Sequence, residues 1–303
     1  MGFAPGLLPG RVELGSKPAS WKREPENVGQ NTEAMLRTAA NGGVDVAILL
    51  GCDPLTDFPD ASLAERAFNN VDYLISVDSL LNFTSTGADV VFPAAATATE
   101  VDGTFTNLEG RISPLNRKVT PPGTARPDWM IAAELAAELG ADLGFVDIEE
   151  LQAEIAESSP LHSEIGSVKD AGTDGLLLSG SSVRAQAPAS FDAEQVPDGE
   201  VLLVAKRKMY DQGTTLTFCP SLHGLAQGAT ASMNPGDMAQ LGLQAGAEVT
   251  VSNASGSIQL PCAADGQVAR GCVAIEFNQP NARVAELFDV SRIVTSVRVE
   301  MAS

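Results

Sequence analysis

The apolar positions of this chain fall into short runs separated by polar turns, and their spacing changes character about halfway along. Val44 to Gly51 is a mainly apolar run that predicts a strand, Asp60 is placed to cap a helix through Asn69, and Tyr73 to Val77 predicts the next strand. Val90, Val91 and Phe92, bounded by Asp89 and Pro93, predict a further strand, buried on both faces and stopped where proline cannot extend the ladder. A helix is expected from Pro127-Asp128, with Trp129, Ile131, Leu135 and Leu139 on one side and a stop at Gly140. Asp147 can cap another reaching Ala156. Strand alternating with helix is the pattern of a parallel α/β sheet.

From Gly166 to Glu200 the composition shifts to Gly, Ser, Ala, Pro and acidic residues with little periodicity, which predicts a linker. The acids Asp192, Glu194, Asp198 and Glu200 are expected to be solvated. Beyond Val201 the elements are mostly strands. Asn234 can cap a helix over Pro235 to Leu241, Val249-Thr250-Val251 alternates, and Ser257 to Cys262, Val273 to Phe277 and Ile293 to Val299 predict three more strands. The expected organisation is an α/β region over 1–165, a linker over 166–200 and a β domain over 201–303.

Composition narrows the function classes. The chain has 303 residues, 44% of them apolar, with a mean hydropathy of +0.04. No apolar run approaches the roughly 20 residues that span a bilayer, and the start lacks the pattern of a secretory signal. Lys and Arg total 19 against 39 Asp and Glu, a net charge of −20, which repels phosphate backbones and anionic lipid. Neither nucleic-acid binding nor direct membrane contact is expected. Cys52, Cys219, Cys262 and Cys272 form no C-x-x-C pair, so neither a zinc site nor an iron–sulfur cluster has its usual local ligand spacing. His162 and His223 are isolated from each other and from any obvious acid. No catalytic residue and no metal ligand is assigned.

The densest chemistry lies between Gly87 and Trp129. After Gly87-Ala88-Asp89-Val90-Val91-Phe92-Pro93, the residues Glu100, Asp102, Thr104, Asn107, Glu109 and Arg111 crowd into one loop with Gly103 and Gly110, followed by Arg126-Pro127-Asp128-Trp129. Such a loop at the carboxyl end of a sheet is where open α/β folds bind ligands. The plainer reading is that these groups brace their own loop. This series resembles the molybdopterin oxidoreductase family, with its A-D-V-V-L-P strand, E-x-x-G-T-x-x-N-x-E-G-R loop and R-P-x-W. The region after Val201 is similar to the dinucleotide-binding domain that ends the same family, through N-P-x-D-x-x-x-L-G at Asn234 and G-x-x-V-x-V at Gly246. The resemblance implies the C-terminal part of a molybdopterin-oxidoreductase-like parallel α/β domain, incomplete at its N-terminus, followed by a double-psi β-barrel.

Several positions match those that hold a dinucleotide in the family. Asp53 and Asp78 each follow a strand and could accept from guanine or ribose donors; Thr84, then Gly103, Thr104 and Asn107, then Gly213, Thr214 and Asn281 match family loops. Asn82-Phe83 stands where a Thr-Glu pair is common, and Tyr210-Asp211 where a histidine-containing stretch is common. These departures favour inherited loop geometry without a ligand.

The segment Ala4 to Arg11, and Leu49-Leu50-Gly51-Cys52-Asp53-Pro54 with Asp57 and Pro59, are most similar to the large peripheral-arm subunits of NADH-quinone oxidoreductases, complex I. That implies a fragment of a larger polypeptide, without a redox centre of its own and with iron–sulfur clusters only on the missing N-terminal part. It also implies other peripheral-arm subunits of complex I as partners and a location on the cytoplasmic side of the cell membrane. Two other readings are the molybdopterin guanine dinucleotide-binding half of a formate-dehydrogenase-like molybdoenzyme and a stand-alone interaction module.

Overall fold

The computed structural model describes residues 29–302 apart from 98, 108–110, 160–161 and 178–194. The Ala4 to Arg11 segment, Glu109, Gly110, Asp192 and Glu194 lie outside the described residues. The chain divides into two compact units. One holds Thr32–Ser76, Leu80–Val90 and the chain from 195 onward; the other holds Val77–Ser79 and the described residues between 91 and 177.

The first unit begins with helix α1 (Thr32–Ala40), strand β1 (Val46–Leu50), the short α2 (Pro54–Asp57) and α3 (Ala61–Asn69). Asp60 caps α3 as expected, its Oδ1 accepting from the Leu63 amide at 2.8 Å. Leu63 and Ala67 of α3 bury against Leu36 and Ala39 of α1. Along the chain then follow β2 (Tyr73–Asp78), whose last residues fall in the other unit, α4 (Phe83–Thr86) and β3 (Val90–Pro93), of which only Val90 falls in the first; the sheet is parallel with strand order β1-β2-β3. Asp89 ties the two later strands together. Its amide donates to the Leu74 carbonyl at 2.9 Å and its Oδ2 accepts from the Leu74 amide at 2.7 Å.

Burial on both faces, expected of β3, is not what the sheet shows. Val91 is exposed in β3, and in β1 Val46, Ile48 and Leu50 are 53%, 49% and 66% exposed. An apolar run is compatible with burial on two faces or one, and here one face of β1 has no covering layer among the described residues.

The other unit contains a second sheet, β4 (Gly103–Thr106), β5 (Arg111–Leu115) and β6 (Leu176–Leu177), with helices α5 (Asp128–Glu138) and α6 (Ile148–Ser158). Asp147 caps α6, Oδ1 accepting from the Glu150 amide at 2.8 Å. Where a linker was expected from 166 onward, the chain instead forms a 3₁₀ helix over Ile165–Asp170 and then β6 against β5. Ile165 and Val168 pack on Ile112 in a small core that the low periodicity of the segment concealed.

His162 sits just before this helix, fully buried, with Nδ1 at 2.7 Å from the Ser159 hydroxyl and Nε2 without a partner among the described residues. Burial holds its pKa below the usual histidine value. The folded state therefore resists a proton that the unfolded chain accepts. Stability is expected to be unaffected above the ordinary histidine pKa of about 6.5 and to fall as pH drops below it. Urea unfolding of the parent and of His162→Gln across that range checks this: the variant should lose that part of the pH dependence.

The rest of the first unit is a closed barrel. Strands β7 (Val201–Lys206), β8 (Ala231–Met233), β9 (Glu248–Ser252), β10 (Ser257–Ala264), β11 (Cys272–Glu276) and β12 (Ser296–Met301) close in the order β10-β8-β11-β7-β12-β9. β9 and β10 pair antiparallel, whereas β11 pairs parallel with β7 and β10 parallel with β8. Alternate residues point inward, so Val249, Val251, Leu260, Val273, Ile275 and Val297 fill the interior. The helices α7 (Thr214–Thr217), α8 (Pro220–His223) and α9 (Pro235–Gln240) lie in its connections. Asn234 caps α9 through the Gly236 amide at 3.0 Å. Asp237 of α9 accepts from the Gly271 amide at 2.7 Å and from Arg270, fixing the turn into β11.

Candidate functional site

The first unit carries a cleft of about 580 Å³ whose lining includes Asp53, Leu55, Leu81, Phe83, Thr214, Phe218, Asn278 and Arg283. Three segments bring these together: the chain leaving β1, the turn around α4, and barrel connections around α7 and after β11.

Asp53 is the organising residue. Its side chain is 3% exposed and accepts from the Thr84 amide at 3.0 Å, the Thr84 hydroxyl at 2.5 Å, the Phe83 amide at 3.3 Å and the Thr214 hydroxyl at 3.4 Å. Its backbone carbonyl starts α2 by accepting from Thr56 and Asp57. Thr84 in turn accepts from the Leu55 amide at 3.1 Å. The departure at Asn82 is also structural, because its Oδ1 caps α4 through the Ser85 amide and hydroxyl, both at 2.8 Å. Asp57 has its pKa raised by burial and then by the neighbouring Asp53 charge.

The other expected ligand contacts are likewise engaged within the chain. The Gly213 amide donates to Asp211 Oδ1 at 2.8 Å, and Asp211 pairs with Arg207 at 3.6 Å. Asn281 clasps Ala229, accepting from its amide at 2.6 Å and donating to its carbonyl at 3.1 Å. Asp53, Thr84, Gly213 and Thr214 are thus brought together, and Asn281 serves a neighbouring barrel connection.

Asp78, Gly103, Thr104 and Asn107 belong to the other unit and do not line this cleft. The Asp78 carbonyl accepts from Ala94 at 2.9 Å, and the Asp78 charge, after burial, raises the pKa of Asp128. Gly103 and Thr104 pair with Leu115 and Pro114 across the β4–β5 hairpin. Asn107 closes that hairpin: its amide donates to the Arg111 carbonyl at 2.9 Å and its Oδ1 accepts from the Arg111 amide at 3.0 Å. Glu100 and Asp102 also accept from backbone amides of their own loop, at Ala96 and Arg117. The loop braces itself.

Sequence reasoning missed Asn278. It follows β11 with φ of +54°, a left-handed conformation that asparagine tolerates better than most residues. Its carbonyl accepts from the Gln212 amide at 2.6 Å, while its Nδ2 is buried and has no partner among the described residues. The signal available was an Asn directly after a strand, at Phe277-Asn278, which turn chemistry explains equally well.

A dinucleotide needs cations or free N–H groups for its pyrophosphate. Among the described residues lining the cleft Arg283 is the only cation, and it pairs with Glu65 at 3.3 Å and Glu286 at 3.4 Å. The Asp53 carboxylate has four donors already. These side chains do not fit a pyrophosphate-bearing group. No cluster of three or more His, Cys, Asp or Glu suited to a metal exists among the described residues, and no helix there is long and apolar enough to cross a membrane.

The fold, with a parallel α/β sheet and a closed barrel, is shared with acetylene hydratase from Pelobacter acetylenicus, at a TM-score of 0.65 and 15% identity over 91% of this chain and 47% of that one. Two family profiles match, Molybdopterin oxidoreductase over residues 13–138 and Molydopterin dinucleotide binding domain over residues 203–300. The chain belongs to the molybdopterin oxidoreductase family. Among its relatives are NADPH-Fe(3+) oxidoreductase subunit alpha of Geobacter sulfurreducens, 29% identical over 86% of this chain and 30% of that protein, and F420-dependent formate dehydrogenase 2 subunit alpha of Methanococcus maripaludis, 29% identical over 92% and 45%. An NADH-quinone oxidoreductase subunit of Rhizobium meliloti is 29% identical over 95% and 34%. The chain spans less than half the length of each of these relatives.

Proposed function

We propose that this chain is the C-terminal part of the large peripheral-arm subunit of a respiratory NADH-quinone oxidoreductase, and that it serves as scaffold without a redox centre of its own. The observation that carries this reading is the internal use of the family's ligand-contact positions. Asp53 is consumed by Phe83, Thr84 and Thr214, and Asn281 by Ala229. The bare apolar face of β1 supports a place within a larger body, since parallel strands are ordinarily covered on both faces. In this reading the barrel is a double-psi barrel, the iron–sulfur clusters belong to polypeptide preceding this part, the partners are other peripheral-arm subunits, and the complex lies on the cytoplasmic side of the membrane.

The second reading, a molybdopterin guanine dinucleotide-binding half of a formate-dehydrogenase-like enzyme, is favoured by the match of residues 203–300 to the dinucleotide-binding profile and by the formate dehydrogenase relative. One measurement separates the two. The native protein containing this chain, purified from its source cells, should contain iron but no molybdenum or tungsten by elemental analysis and release no fluorescent pterin on oxidation. Molybdenum or tungsten together with pterin in stoichiometric amount would overturn the scaffold reading and establish the second.

A further inference from the structure

The unit that holds α5 and α6 has a groove of about 480 Å³ whose lining includes Phe92, Arg126, Ile131, Glu134, Leu135 and Glu138. The last four fall at i, i+3, i+4 and i+7 of α5, so one side of that helix forms a wall of the groove. Apolar side chains continue past the helix. Leu139 at its end is 78% exposed, and Leu143 and Val146, in the segment leading to α6, are 41% and 81% exposed. Exposed apolar groups gathered beside an apolar groove mark an interaction surface. Charge says what it fits. Between Arg126 and Lys169 the sequence carries ten Asp and Glu and no Lys or Arg, half of the chain's net charge of −20. Arg126 itself pairs with Glu134, which leaves the negative charge of Glu138 in excess at the rim.

We propose that this groove docks a basic amphipathic helix of another polypeptide. The apolar side of such a helix would cover Leu135 and Leu139, and its lysines or arginines would meet Glu138 and, beyond the end of α5, Asp142. A helix suits the wall because α5 presents its side chains as ridges at three- and four-residue spacing, into which the ridges of a second helix can pack. A second copy of this chain would bring the same excess of negative charge to the contact and be repelled. The inference goes beyond the scaffold reading and does not depend on it, since a metal-loaded protein could dock the same partner.

A labelled synthetic helix of leucine and lysine, about four turns long, probes the chemistry of the surface by fluorescence anisotropy with the whole chain. It should bind saturably, and a lysine-only peptide of the same charge about tenfold more weakly, because the charge alone leaves the groove unfilled. Glu138→Lys and Leu139→Ser alter exposed positions, so both should melt with the parent yet bind the amphipathic helix about tenfold more weakly. Glu300→Lys makes the same change of net charge at an exposed position of β12 and should leave binding unchanged. Equal binding of the two peptides, full binding by either groove variant, or an equal loss in Glu300→Lys would each overturn the proposal. In the native protein from its source cells, a carbodiimide should join Glu134, Glu138 or Asp142 to a lysine of a different polypeptide. Links confined to this polypeptide or to a second copy of it, or no link from these residues, would overturn it as well. None of these readouts involves metal or pterin, so this inference and the scaffold reading can fail separately.

Discussion

Replacement of Asp53 by alanine is expected to lower the unfolding free energy by about 3 kcal/mol, because several buried donors lose their acceptor at once. The donors are the Phe83 and Thr84 amides and the Thr84 and Thr214 hydroxyls. Hydroxyls can turn toward other acceptors, but the two amides are fixed by the first turn of α4. Asp53→Asn keeps one acceptor and places an NH₂ against the remaining donors, so about 2 kcal/mol is expected. Urea unfolding monitored by circular dichroism reads both. The direction separates two roles for the same residue: a carboxylate kept for a ligand would leave the stability of the ligand-free chain little changed, whereas a keystone weakens it with no ligand present.

Glu276→Ala is expected to cost about 2 kcal/mol at neutral pH. Glu276 ends β11 with 4% exposure; its Oε2 accepts from the Thr230 amide at 2.7 Å, and its Oε1 faces Lys206 and Lys208 at 3.3 and 3.4 Å. Burial alone would raise its pKa, but the Thr230 amide and then Lys206 favour the charged form and hold it below the usual carboxylate value. Both lysines are more than a third exposed and can return to water, so most of the cost arises from the orphaned Thr230 amide. The sign of the pH effect follows from the depressed pKa. The stabilisation is present above the unfolded-state pKa and is lost as pH falls through the folded one. The difference between parent and Glu276→Gln should therefore shrink on acidification. A difference that is constant with pH would mean that packing, not charge, is what the residue supplies.

The parts of the structure that the sequence disclosed are those whose chemistry is local. Asp60, Asp147 and Asn234 cap their helices through amides two or three residues ahead, so each cap was written in a few consecutive letters. The strands of the barrel were legible from alternation, as at Val249-Thr250-Val251, and helix α5 from its apolar side. The segment after 166 was misread because its small core is built from only Ile165, Val168 and Ile112, too few positions to give a period. The exposure of Val46, Ile48 and Leu50 was hidden for a different reason: an apolar run records composition, whereas the presence of a covering layer depends on what packs above it.

The candidate site shows the same division. By itself the sequence determined the family and the two kinds of fold, because glycine turns, caps and strand ends leave fixed spacings. Only the tertiary structure decided what the loop positions do. The Asp53 carboxylate meets Thr84 and Thr214 at separations of 31 and 161 residues, and Asn281 meets Ala229 at 52. Chain closure over such distances leaves no local pattern, since any residue that can donate at the right point in space would serve. Asn278 was silent as well, because a positive φ and a donor without a partner among the described residues are properties of its surroundings and not of the residue itself.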